Sequence, residues 1–228
     1  MKLKIKITER DTLQSLFSKC GGLGLEHHND LENLIKDKNP DFNLENGTIK
    51  WGEDLKFNFQ LLGTLSLQDE KWYWAWDNQD IELPEKIIKQ SEKVKEIGEK
   101  YTINQMKENM FQASLHEAHI ISMTITGLFE DDGYYVIDFE GLLFFIAIKS
   151  DKIPHEKTVE RFLYNYNTFQ KEFDVNPRLA LEGYAKLNDY GYKERDEFSV
   201  VVIGQSRIIV GFSEKEKVTH IQTMLEND

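Results

Sequence analysis

Three tryptophans at alternate positions, in Trp72-Tyr73-Trp74-Ala75-Trp76-Asp77-Asn78, constrain this chain more than any other feature. An extended backbone would place Trp72, Trp74 and Trp76 on one face of a strand, with Tyr73 and Ala75 on the other. Three indoles on one side of a sheet need a large apolar volume, so a second layer must cover them. Two strands precede this one, over Thr48 to Trp51 and Leu55 to Leu65, with Gln68-Asp69-Glu70-Lys71 as the polar turn between the second and third. Together they predict a β-meander. Gly63 inside the second strand predicts a bulge or a close backbone approach.

Helices flank that sheet. Leu13, Leu16, Phe17 and Cys20 follow helical spacing, and Gly21-Gly22 reads as a helix stop. A short helix is expected near Leu31 to Ile35 in an otherwise polar stretch. Pro84 suits a helix start, Ile87, Ile88, Ser91, Val94 and Ile97 mark its buried stripe, and Gly98 its end. A second helix is expected over Ile103 to Phe129 with a break near Asn109, and Asp131-Asp132-Gly133 terminates it. Tyr134 to Phe139 and Leu142 to Ile148 predict a hairpin around Glu140-Gly141. Its second strand is apolar on both faces and should lie centrally. Leu3, Ile5 and Ile7 alternate with Lys2, Lys4 and Lys6, which predicts an edge strand.

The expected fold class is α+β, with a mainly antiparallel sheet. Residues 1–150 would form one domain around the tryptophan strand. Residues 151–228 would form a docked helix–helix–hairpin extension: a helix from Val159 to Phe173, a second opened by Asn176-Pro177 and closed by Gly191, and strands Phe198 to Ile203 and Arg207 to Phe212. Thr219, Ile221, Thr223 and Leu225 share one parity, which favours a third strand there.

The charge balance narrows the partners. Forty acidic and 28 basic side chains give a net charge of −12, which repels phosphate backbones and disfavours nucleic acid. The same field would attract a basic protein. Cys20 is the only cysteine, so neither an internal disulfide nor a cysteine zinc site can form. The start alternates instead of running apolar, and the longest apolar run is too short for a membrane helix. A cytoplasmic protein without membrane or cofactor is the expectation.

The central block also carries a resemblance. Phe59-Gln60-Leu61-Leu62-Gly63-Thr64, then the tryptophan strand, then Leu83-Pro84 and a helix, resembles the bacterial domain-of-unknown-function 6882 family over about residues 25–150. The resemblance implies a compact α+β domain and brings no catalytic residues with it. Residues 2–24 and 151–228 extend beyond it.

Candidate chemistry is sparse. Trp72, Trp74 and Trp76, with Asp77 at the rim, would line a ligand pocket if their face were open; core packing of the indoles is the simpler expectation. In His116-Glu117-Ala118-His119 two histidines share a helix face, one residue short of the His-Glu-x-x-His spacing of zinc proteases. His116 and His119 are therefore the candidate metal ligands, with His155 and His220 available elsewhere. Asp138 and Glu140 fit a solvated turn better than an acid–base pair. Three functions follow: first a non-enzymatic protein-binding module, of an immunity-like kind, meeting a basic partner; second a small-molecule binder with an aromatic pocket; third a metal enzyme built on the His116/His119 helix.

Overall fold

The computed structural model describes residues 3–36, 38–77 and 83–225. Among them are six α-helices and eleven strands in two sheets, an α+β arrangement with antiparallel pairing throughout. The first sheet holds β1 (Pro40–Asn43), β2 (Thr48–Trp51), β3 (Leu55–Ser66), β4 (Lys71–Trp74), β5 (Met110–Gln112), β6 (Gly133–Phe139) and β7 (Leu142–Ile148). The second runs in the order β11 (Val218–Met224), β10 (Ser206–Phe212), β9 (Phe198–Ile203), β8 (Gly191–Glu194).

The meander and the hairpin form as expected. β3 pairs with β2, β4 and β7, and its register shifts between Leu61 and Gly63. A Cβ on Gly63 would stand 2.5 Å from the Tyr73 carbonyl oxygen, so both readings of that glycine hold. β7 is central. Leu143, Phe145 and Ala147 enter one core cluster and Phe144, Ile146 and Ile148 the other. The third C-terminal strand is present as β11.

Several boundaries differ from expectation. Gly21-Gly22 does not stop the first helix. α1 runs unbroken from Leu13 to Ile35, and its glycines mark helix crossings instead. A Cβ on Gly24 would lie 2.0 Å from the Met123 carbonyl oxygen, and one on Gly127 would lie 1.9 Å from that of Cys20. α1 and α4 (Leu115–Phe129) therefore touch backbone to backbone. Gly183 of α6 (Pro177–Leu187) meets the Lys19 carbonyl of α1 in the same way, at 1.9 Å.

α2 (Glu85–Tyr101) passes Gly98 and ends at Thr102, whose left-handed conformation sends its N–H to the Gly98 carbonyl. The segment after it splits further than one break: α3 (Asn104–Lys107), then β5, then α4 capped by Ser114. α6 ends at Leu187, and Gly191 opens β8 instead of closing a helix. Residues 3–7 form no strand. Ile5 and Ile7 are buried and Lys4 and Lys6 exposed, but the segment pairs with no sheet. Lys2 lies outside the described residues.

The tryptophan strand ends at Trp74, and Ala75–Asp77 turn into a 3-10 helix. Trp72 and Trp74 are fully buried, edge to face with centroids 5.3 Å apart, in the core that α1, α4, α5 (Val159–Glu172) and α6 share with the sheet. The Trp74 indole N–H donates to the Gln105 carbonyl at 2.7 Å. Trp76 is half-buried, with the Lys95 ammonium 4.4 Å from its ring. Asp77 is half-buried, and Asn78 lies outside the described residues.

Candidate metal centre

Among the described residues, one group of three ligand-type side chains converges: His27, Asp132 and His155, whose donor atoms lie within 4.8 Å of one another. Three parts of the fold bring them together. His27 sits on α1 where that helix passes the α4–β6 turn. Asp132 belongs to that turn, fixed by its own N–H on the Ile148 carbonyl (2.8 Å) and by Ser150 N–H on its Oδ2 (2.6 Å). His155 lies in the segment between β7 and α5.

Both imidazoles are oriented through Nδ1. His27 Nδ1 lies 2.6 Å from the Asp131 carbonyl oxygen, which can only accept, so Nδ1 carries the proton and Nε2 a lone pair. His155 Nδ1 meets Asp30 Oδ2 at 2.7 Å, and its Nε2 faces Asp132 Oδ1 at 3.3 Å. A carboxylate or carbonyl behind Nδ1 is the usual support of a metal-binding histidine.

A second tier holds Asp30. Arg161, in the first turn of α5, donates from Nε to Glu26 Oε1 at 2.6 Å and from Nη2 to Asp30 Oδ1. Tyr184 of α6 donates to Glu26 Oε2 at 2.5 Å, and Asn165 donates to the Tyr184 hydroxyl at 3.1 Å. Glu26, His27 and Asp30 are all buried on α1, which only such pairing permits.

The electrostatics follow from these contacts. Burial pushes His27 down to about 4, with the neighbouring His155 charge in the same direction, so His27 is neutral at pH 7. Burial would lower His155 as well, but hydrogen bonds to Asp132 and Asp30 raise it to about 9. Burial raises Asp132, yet His155 and the Ser150 N–H hold it below its ordinary value. Asp131 is pushed up to about 7 by burial, moderated by its hydrogen bond from Gln90. Among the described residues, Glu26, Asp30 and Asp132 make their ion pairs with Arg161 and His155. Exchanging the His155 proton for a dication would neutralise this cluster.

The residues singled out from sequence stand elsewhere. Trp72 and Trp74 are core, and of the three indoles only the half-buried Trp76 reaches the surface, beneath Lys95. His116 stacks on Phe173, centroids 6.0 Å apart, whereas His119 Nδ1 meets the Tyr134 hydroxyl at 3.0 Å. From sequence alone, His155 is only an available third ligand. His27 and Asp132 had no local spacing to mark them, since each partner comes from a distant part of the chain. Asp131-Asp132-Gly133 read as a helix breaker, which it also is.

No curated protein and no solved structure matches the chain. A family model does match, over residues 14–151, described as a family of unknown function. The matched stretch includes the tryptophan strand, His27 and Asp132 and ends before His155 and Arg161. Since it covers more than half of the sequence, this chain belongs to the DUF6882 family.

Proposed function

We propose that the protein binds one divalent transition-metal ion through His27 Nε2, Asp132 Oδ1 and His155 Nε2, and uses it as a Lewis acid on water or substrate. The observation that carries this reading is the convergence of one donor atom each from His27, Asp132 and His155 within 4.8 Å, with both Nδ1 atoms engaged by Asp131 and Asp30 and the His155 Nε2 facing Asp132. Two imidazoles and one carboxylate suit zinc, iron(II) or cobalt(II) and not the oxygen-seeking calcium or magnesium. Three protein ligands leave coordination positions for water and substrate, as catalytic sites do and closed structural sites do not. The side chains of His155 and Asp132 keep 18% and 22% exposure, an opening on the solvent side.

The test is calorimetric titration of zinc and cobalt(II) into chelator-treated protein carrying no histidine tag. One ion per chain is expected, lost in His27→Ala and in Asp132→Asn. Asp30→Asn, which touches the site through His155 and also loosens Arg161, should weaken binding about 10- to 100-fold. Absence of stoichiometric binding, or binding that survives both ligand substitutions, would overturn the proposal. Binding lost instead in His116→Ala would return the site to the α4 helix.

The net charge of −12 supports a second reading, a non-enzymatic module, of an immunity-like kind, that meets a basic protein. Recovery of one specific basic partner from the native host at physiological salt would support it. Recovery of none, with metal bound as above, would leave the first reading alone.

A further inference from the structure

α2 carries a second feature, independent of the metal cluster. Two adjoining pockets run along one face of the helix and share Lys93 and Phe129. One, about 300 Å³, is edged by Lys89, Lys93 and Lys149; the other, about 280 Å³, has Leu3, Ile97, Tyr101 and Phe129 as its apolar wall and Glu96 and Lys100 at its rim. Residues 89, 93, 97 and 101 recur every fourth position, so they line a single helix face.

In a chain with 40 acidic and 28 basic side chains, three ammonium groups beside one pocket run against the overall field. Lys89 and Lys93 are exposed and make no ion pair or hydrogen bond among the described residues. Lys149 donates to the Phe129 and Glu130 carbonyls at the end of α4, which holds its charge at the pocket edge. The carboxyl of Asp131 closes the inner wall, buried and hydrogen-bonded to Gln90. The one exposed carboxylate on the lining, Glu96, belongs to the apolar pocket at the far end from Lys89 and Lys149.

We infer that this groove binds an amphipathic organic anion, a carboxylate or phosphate monoester on an apolar body, with its head among Lys89, Lys93 and Lys149 and its body against Phe129, Ile97 and Tyr101. Charge complementarity at one end and apolar surface at the other define the class. Two adjoining volumes of this size suit a small ligand and not a protein segment.

The test is calorimetric titration of submicellar decanoate, octyl phosphate and decanol into the full chain. Saturable binding of one anion per chain is expected, with decanol at least about tenfold weaker. Lys93→Glu should raise the anion's dissociation constant at least about tenfold, whereas Lys56→Glu, on β3 outside the groove, should leave it unchanged. Lys89→Glu repeats the arm should the first variant fold poorly, as judged by circular dichroism. Binding of only one of the two anions would assign the head group. Equal binding of decanol and decanoate, no binding of either anion, or indifference to both charge reversals would overturn the inference, whatever the outcome at His27.

Discussion

The imidazoles of His27 and His155 lie face to face, centroids 3.8 Å apart and planes 18° from parallel, yet one is neutral and the other charged at pH 7. Burial and the adjoining positive ring keep His27 unprotonated. Asp132 and Asp30 overcome burial at His155 and keep it protonated. Two stacked rings in one buried place can hold one proton comfortably and not two.

This asymmetry sets the pH profile of the metal-free protein. His155 is raised from 6.5 to about 9, so its contribution to stability is complete below pH 6.5 and lost as the pH climbs through 9. His27 is lowered from 6.5 to about 4, so its contribution is present above pH 6.5 and lost as the pH falls through 4. Denaturant midpoints measured against pH should fall on both sides of a maximum. His155→Gln should remove the alkaline fall and His27→Gln the acid one. Zinc should flatten the alkaline side and release about one proton per ion at pH 7, read from titrations in buffers of different ionisation enthalpy.

Arg161 pairs with the carboxyl groups of both Glu26 and Asp30 inside the fold, where their side chains are 5% and 6% exposed. Arg161→Met should cost about 3 kcal/mol in urea unfolding, because two buried carboxyl groups lose their shared guanidinium without regaining water and keep only His155 and the Tyr184 hydroxyl. The Lys50–Asp41 pair is the contrast. Both groups are exposed, and Lys50→Ala should leave the midpoint where it is.

Gly24→Ala tests the α1–α4 crossing. Alanine is the better helix former by about 1 kcal/mol, so propensity alone predicts stabilisation. The new methyl would stand 2.0 Å from the Met123 carbonyl oxygen, which is backbone and cannot swing aside. The helices must separate, and thermal melts should show a net loss of about 2 kcal/mol or more. Gly52→Ala is no fair control, since its φ of +68° strains any side chain.

These residues show what a sequence displays and what it hides. The β3–β4 strands, the Gly63 bulge and the doubly apolar β7 were legible, because period-two alternation and a misplaced glycine are local signals. Gly21 and Gly22 misled because a glycine that ends a helix and one that lets two helices pack closely look alike without the partner. Residues 3–7 alternate as a strand would, but alternation records burial, and burial arose there without a ladder. The candidate metal site was hidden for the same reason: His27, Asp132 and His155 become neighbours only after α1 packs on α4. His116 and His119 had suggestive spacing and separate surroundings.

Asp11 offers a test on the acid side that is independent of the histidines. It precedes the Thr12 cap of α1 and accepts from the Thr8 N–H at 2.8 Å, the Thr8 hydroxyl at 3.0 Å, the Ser15 hydroxyl at 2.8 Å, and the Lys19 ammonium. Burial alone would raise its pKa, but Lys19, Ser15 and Thr8 together hold it below 3.8. Its folded value is depressed, so its stabilisation is full above pH 3.8 and disappears as the pH falls through that lower value. Asp11→Asn keeps the size of the side chain and removes the charge that Lys19 faces. At pH 7 the variant should be about 2 kcal/mol less stable. The gap should close as unfolding is measured at successively lower pH, since the wild-type carboxyl then becomes neutral too. A gap of constant size down to about pH 2 would mean that shape and not charge fixes the start of α1.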